Sequence, residues 1–350
     1  MRIVYVIEGL SVKGGLERIL TDKMNYLAEH TAHEIVLMTV WHEDGEVPYP
    51  LSPKIRRIKL NVPPTLVALP LAIWRFNKYI KRANPDITVF FRAIGAMLIA
   101  STTWKGRKIF ESHLDYHHSN HNWLYPYMQR KADTVVCLTQ GDARNFKESR
   151  HTIVIPDFTT IKPISAPDYS SKRCIWVGRL EPEKAPDKLV RLWKTIHASH
   201  PEWRVDMYGE GRMREQIQNM IASSGLANVI SLHGVTDNIA KEYQKCSFLI
   251  MTSECEGMGM VLIEANACGL PAIAFDCPHG PSDIIKDKET GFLIDINDTE
   301  AMTQAVMTLI EHDDLRQHMG QNAVKAAKEY SPERIMSMWL KLFTNNNARE

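Results

Sequence analysis

Two carboxylates, Glu256 and Glu264, stand eight positions apart in SECEGMGMVLIEANACG (253–269), with Gly257 and Gly259 between them. SFLIMTS (247–253) reads as a strand, and VLIEANACG (261–269) as a helix that Gly269 and Pro271 terminate. ECEGMGM is then a strand-to-helix loop. Its glycines let backbone approach a ligand closely. The amides of Met260 and Val261, at the positive end of the helix, suit a phosphate. A carboxylate at Glu256 would repel that phosphate unless it bonds hydroxyls further along the ligand. Glu264, about one turn into the helix, can reach hydroxyls on the ligand's other side. An anion in the middle with a polyol on either side describes a nucleotide sugar. The plainer reading is two acids on an exposed loop and helix.

A second stretch, VGRLEPEKAPDKLV (177–190), puts Arg179 at a strand end and Lys184 in the following loop. Arg forks to phosphate oxygens and Lys adds a point charge. Alone such a pair reads as surface; joined to the acid–glycine–acid loop it reads as a pair of phosphate-binding cations. In EGLSVKGGLERIL (8–20), Gly14 and Gly15 lead directly into a helix and form another potential anion cradle, although a plain strand-to-helix turn looks the same. Glu17 is placed to stabilise that helix's first turn. ESHLDYHHSNHNW (111–123) carries His113, His117, His118 and His121. The spacing of 113, 117 and 121 could set three imidazoles on one helical face, as zinc requires. HEXXH is absent, the segment begins at a strand end, and no cysteine lies close, so no metal is expected. His117, His118 and His121 read as polar surface or acceptor-loop residues.

These residues need elements to hold them. Strands are expected at 2–9, 33–40, 86–91, 107–112, 133–139 and 152–158, with an amphipathic helix at 15–30. After the proline- and serine-rich stretch IKPISAPDYSSK (161–172), read as a linker, the pattern restarts. Strands at 174–180, 203–211, 229–234, 247–253, 270–276 and 291–295 alternate with helices, and a helix-rich tail begins near Thr299. The expectation is α/β: two Rossmann-like, doubly wound domains facing a central cleft. Residues 1–165 form the first, 166–332 the second, and 333–350 a C-terminal helix packing back toward the first. Ligands of such sheets sit at the carboxyl ends of strands.

The chain has 350 residues, 44% hydrophobic and 24% charged, which suits two cores. A net charge of +1 gives no reason to expect nucleic acid. MRIVYVIEGL is too short in its apolar run, and is broken by Glu8, to read as a signal peptide. No stretch reaches the roughly 18 apolar residues of a spanning helix. The six cysteines form no CxxC pair and read as reduced thiols of a cytoplasmic protein.

The acid, the glycine loop, the second acid eight positions on and the small-residue helix ending in Gly-x-Pro resemble the signature of glycosyltransferase family 4, retaining enzymes of GT-B fold. The resemblance implies that Glu256 binds donor-sugar hydroxyls and Glu264 the ribose. It implies that Arg179 and Lys184 hold the diphosphate beside Gly257, Gly259, Met260 and Val261. The loop of Gly14 and Gly15 would lie beside the diphosphate and the acceptor, and His113 would face donor sugar and acceptor. Met258 stands where the family commonly has an aromatic.

The chain has no DxD motif, with which metal-dependent glycosyltransferases of the other main fold hold a divalent ion; Arg179 and Lys184 can take the metal's place. No metal or cofactor is expected beyond a donor such as a UDP-sugar, its base bound near 233–235. CPHGPSDIIKDKETGFLI (277–294) resembles bacterial members that build lipopolysaccharide, capsule or lipid-linked oligosaccharides, so galactose, glucose or N-acetylhexosamine would fit. Three alternatives stand beside this reading: a nucleotide-sugar epimerase of the same architecture, a dinucleotide oxidoreductase hinted at by GEGRMR (209–214), and a non-catalytic partner in glycan assembly. One further feature bears on the acceptor. Between Leu51 and Phe110 twelve Lys and Arg face one acid, Asp86. Within that span TLVALPLAIWRFNKYIKRA (65–83) has an apolar face, Trp74 and Tyr79 as anchors and a cationic end, consistent with an anionic membrane surface or with a core-packing helix.

Overall fold

The computed structural model describes residues 1–345 except 12, 13, 44, 46, 114, 115, 118, 120 and 164. The chain divides into two compact units: Met1–Asp157 with the C-terminal stretch from Glu333, and Phe158–Pro332. The break therefore falls before the 161–172 stretch, earlier than the 165/166 boundary expected from the sequence.

Seven strands build the first unit: β1 (Arg2–Ile7), β2 (Glu34–Trp41), β3 (Arg56–Val62), β4 (Ile87–Phe91), β5 (Arg107–Ser112), β6 (Thr134–Cys137) and β7 (Thr152–Val154). They pair in the order β3-β2-β1-β4-β5-β6-β7, parallel throughout. β1, β4, β5 and β6 are almost wholly buried, as parallel strands covered on both faces must be. Val4, Val6, Phe90, Phe110 and Val135 form the core on one face. On the helix Gly15–His30, the buried Leu20, Met24 and Leu27 repeat at helical spacing. The helix Pro332–Thr344 belongs to the same unit and buries Ile335, Met336, Trp339, Leu342 and Phe343. Its last carbonyls, those of Leu342 and Phe343, accept from the buried Arg107 guanidinium, which stands in for the missing next turn.

β3 is not among the strands expected from the sequence. RRIKLNV is an edge strand, and basic side chains on an edge discourage pairing with other chains. The expected strand 152–158 stops at Val154, ahead of Pro156. The segment 65–83 opens with a single 3-10 turn, Leu66–Ala68, and continues as one α-helix, Leu69–Ala83. Pro70 sits in the first turn, where its missing N–H has no intrahelical partner to lose.

The second unit has β8 (Arg173–Val177), β9 (Arg204–Tyr208), β10 (Ile230–Gly234), β11 (Phe248–Met251), β12 (Ala272–Phe275) and β13 (Gly291–Ile294), ordered β10-β9-β8-β11-β12-β13 and parallel. Trp176, Trp193, Phe248 and Ile250 lie in its core. The stretch read as a linker is pinned to this unit. Tyr169 donates its hydroxyl to the Gly269 carbonyl at 2.7 Å, and the buried Arg316 donates to the Tyr169 carbonyl at 2.6 Å. Among the described residues no helix is long and apolar enough to cross a membrane.

Candidate functional site

β8 lies between β9 and β11, so the strand order reverses there and the loops leaving β8 and β11 depart side by side. Such a switch point opens a crevice at the carboxyl ends of the strands. The β8 loop carries Arg179 and Lys184, and the β11 loop carries Glu256 through Val261. The two loops are stitched together. The buried Thr252 hydroxyl accepts from the Trp176 indole N–H at 3.0 Å and donates to the Ala185 carbonyl at 2.9 Å. The Glu254 amide donates to the Glu183 carbonyl at 2.9 Å.

Across this seam Lys184 Nζ donates to Glu256 Oε2 at 2.6 Å, with side chains only 20% and 8% exposed. The pair settles the difficulty raised by an acid beside a phosphate site, because the ammonium neutralises it. A short charge-assisted bond of this kind is among the stronger contacts a protein makes. Arg179 is not drawn into it: its guanidinium is 69% exposed and bonds Glu183 at 2.7 Å. Glu264 lies in the second turn of the helix Met260–Ala267, buried, and accepts from the Tyr243 hydroxyl at 3.3 Å. That helix is buried on nearly every side, which fixes the direction of its amino end.

The loop geometry depends on glycine at two places. Gly259, immediately before Met260, has φ +88°, in the left-handed region. Gly280 has φ +103°, and a Cβ there would lie 2.0 Å from the Met258 carbonyl oxygen. The 277–281 segment thus packs against the loop that holds Gly257 and Met258. GEGRMR has a bracing role: the Leu180 amide donates to the Glu210 carbonyl and the Met213 amide to the Leu180 carbonyl, both at 2.9 Å, supporting the Arg179 loop. In the region expected to meet the base, His233 stacks on Tyr208 with ring centroids 4.7 Å apart and bonds Asp206 at 2.7 Å. The Tyr208 hydroxyl is held protonated well above its ordinary range by burial and its bond to Glu242.

In the first unit Gly14 caps the helix Gly15–His30 with extended backbone, directly downstream of β1 at that sheet's own switch point. Glu17 lies in the first turn of that helix, and it is also buried and accepts from Arg92, the residue after β4, at 2.7 Å. His113 follows β5. Its Nε2 lies 2.8 Å from Glu111 Oε1 and its Nδ1 3.4 Å from Asp157 Oδ2. Burial alone would lower its pKa, but Asp157 and Glu111 outweigh burial and push it up to about 9. The described residues of 113–121 are turn or irregular, so the helical face that would align His113, His117 and His121 for zinc does not form. His117 and His121 are exposed, and His118 lies outside the described residues. Sequence reasoning missed Lys23, Glu111, Asp157 and Thr252. The first three are buried charges, and an acid inside RKIFES was the visible signal.

Residues 157–326 match the family described as Glycosyl transferases group 1. The chain is 28% identical over 356 residues to the amylovoran biosynthesis glycosyltransferase AmsD of Erwinia amylovora, covering 97% of this chain and 98% of that protein. Its fold is similar to that of S. aureus TarM crystallised with fondaparinux, alpha-GlcNAc-glycerol and UDP, at TM-score 0.83 and 16% identity over 98% of this chain and 100% of that one. It is also similar to Anabaena HepE in complex with UDP and glucose, at TM-score 0.82 and 19% identity over 98% and 99% of the two chains. Residues 157–326 thus match the group 1 glycosyltransferases, and the two parallel sheets share the GT-B fold of these solved structures.

Proposed function

We propose that the protein is a retaining, metal-independent glycosyltransferase. It moves a hexose or N-acetylhexosamine from a UDP-sugar to a growing surface glycan or lipid-linked oligosaccharide. The observation that carries this reading is the Lys184–Glu256 pair beside the amino end of the helix Met260–Ala267, at the switch point of the second sheet. Relatives named for amylovoran biosynthesis or crystallised with UDP and glucose support the donor and acceptor classes.

In this reading the bond between the anomeric carbon and the β-phosphate oxygen breaks, and negative charge grows on the departing UDP. Lys184, Arg179 and the amides of Met260 and Val261 stabilise that charge most when it is fully developed, which is the condition for catalysis rather than tight substrate binding. Glu256 bonds sugar hydroxyls and Glu264 the ribose. A phosphate oxygen of the leaving group takes the acceptor hydroxyl's proton while the acceptor oxygen bonds the anomeric carbon from the same face, so configuration is retained.

The test is to incubate purified protein with a panel of UDP-sugars and candidate acceptors, following UDP release and sugar transfer with and without EDTA. Transfer that survives EDTA is expected, since the site carries its own cations. Loss with EDTA and recovery with Mg²⁺, Mn²⁺ or Zn²⁺ would overturn the metal independence. Conversion of the nucleotide sugar with no transfer product would favour the epimerase.

The same reading places the enzyme at the inner face of the cytoplasmic membrane, bound through the first unit. Leu66, Val67, Leu71 and Trp74 are exposed, with Lys78 5.0 Å from the Trp74 ring. Lys54, Arg56, Arg57 and Lys59, on and beside edge strand β3, are exposed too, as are Lys81 and Arg82. Phe76 and Ile80 face the core instead, and Tyr79 is half-buried against it, so Tyr79 drops out as an anchor. Each cation near an anionic leaflet contributes about 1 kcal/mol, so four to six suffice for reversible binding. Liposome flotation should show binding that needs anionic lipid, falls with salt and weakens when Lys78, Lys81 and Arg82 become Ser. Protein left in solution with anionic liposomes at low salt would overturn the membrane reading and favour a soluble or otherwise delivered acceptor.

A further inference from the structure

Beneath the carboxyl end of β5, four charged side chains follow one another in space. Lys23 Nζ bonds Glu111 Oε1, Glu111 Oε1 also faces His113 Nε2 at 2.8 Å, and His113 Nδ1 faces Asp157 Oδ2 at 3.4 Å. Lys23 and Glu111 are each 1% exposed and Asp157 3%. Other groups from neighbouring elements close the site. Lys23 lies 4.2 Å from the Trp339 ring, and Phe91 packs against both His113 and Tyr5. Tyr5 is kept neutral by burial and by the charge of Glu111.

An ionised carboxylate only accepts hydrogen bonds. A ring with a carboxylate at each nitrogen therefore needs a proton at each. The signs along the chain then read plus, minus, plus, minus, and every buried charge has an opposite neighbour. Without Lys23, one of the two carboxylates would be buried in excess, which is the costly arrangement. Lys23 is also two turns into the helix that starts at Gly15, so one ammonium ties the Gly14–Gly15 helix to the strand that presents His113.

We propose that Lys23 is a positioning residue for glycosyl transfer: it holds Glu111 in place as a buried carboxylate, and Glu111 with Asp157 keeps His113 a doubly protonated imidazolium, so that His113 serves the reaction as a cation and hydrogen-bond donor and not as a base. This rests on the transferase reading for its purpose but not for its test. Ligand atoms of Glu111, His113 and Asp157 also lie within 4.8 Å of one another, close enough to surround a metal ion. Lys23 already neutralises Glu111, and a bound cation would have to displace the imidazole's own protons, so the charge chain accounts for the cluster without one.

The experiment is nitrogen-detected NMR titration of the full chain labelled in histidine, with His113 assigned by its loss in His113→Gln. Both ring nitrogens should be protonated at pH 7.5, with deprotonation near pH 9. Glu111→Gln should lower that midpoint by about one to two units, because it removes the nearer carboxylate. Lys23→Met should move it the other way, because it leaves Glu111 unscreened. Should Lys23→Met fail to fold, Lys23→Met/Glu111→Gln removes both charges at similar volume and should again lower the midpoint. Where transfer is measurable, the double variant should lose about tenfold in kcat with KM for the donor little changed. A neutral His113 ring at pH 7.5, an unmoved midpoint in the double variant, or stoichiometric metal in the purified wild type would each overturn the proposal. None of the NMR arms needs donor or acceptor, so a failure to detect transfer leaves this result standing on its own.

Discussion

Arg179→Ala is expected to cut turnover by about 10²–10³ while leaving thermal stability nearly unchanged. A charge-assisted contact that strengthens in the transition state contributes roughly 3–4 kcal/mol, which is that factor in rate. In the resting protein the same guanidinium is 69% exposed and holds only Glu183. Exposed pairs of this kind contribute about 0–1 kcal/mol to folding, so rate and stability should separate cleanly. Lys184→Ala should lose as much rate but not separate as well, because it leaves Glu256, 8% exposed, without its partner. Stopped-time assays of UDP release, paired with thermal melts, make the comparison. Soluble Arg179→Ala with activity within about threefold of wild type would remove Arg179 from the diphosphate site.

The contrast between Arg179 and Lys184 also shows where sequence reading reaches its limit. Both were legible as cations at the mouth of a sheet, because VGRLEPEKAPDKLV marks a strand end, a loop and a helix start. The partner of Arg179, Glu183, lies four residues on in the same stretch, but the partner of Lys184 was not legible, since its meeting with Glu256 is decided by loop stitching through Thr252 and the Glu254 amide, neither of which has a sequence signature. The doubly wound sheets were readable from apolar runs such as ITVFF and FLIM, which are buried on both faces. β3 was not, because an edge strand needs little apolar content and RRIKLNV offers little. Segment 161–172, read as a linker, belongs to the second unit for a reason of the same kind. Its hold on the second unit comes from Tyr169, Arg316 and Gly269, distant in sequence and joined only by folding. The Lys23–Glu111–His113–Asp157 chain is the strongest case. Each residue is ordinary in its own segment, and the meaning lies in their being buried together.

Calorimetry of free UDP should separate the two acids that first marked the site. Glu264 sits in the second turn of the helix Met260–Ala267, buried, and accepts from the Tyr243 hydroxyl. If its carboxylate takes a ribose hydroxyl, Glu264→Gln replaces a charged acceptor with a neutral amide. A hydrogen bond to a charged group contributes about 1.5–3 kcal/mol, so UDP affinity should fall about 10- to 100-fold. Glu256 stands on the other side of the phosphate site and carries Lys184 at 2.6 Å. Free UDP lacks the donor sugar that Glu256 bonds, so Glu256→Gln should bind UDP as well as wild type, or more tightly because Lys184 is released toward the phosphates. Transfer by Glu256→Gln should nevertheless collapse, since the donor sugar loses its charged hydroxyl partner, and selectivity among donors sharing the UDP group should narrow. The two variants thus separate in their affinity for free UDP. Equal losses of UDP affinity in both would contradict the assignment of sugar to Glu256 and ribose to Glu264, whatever their rates of transfer.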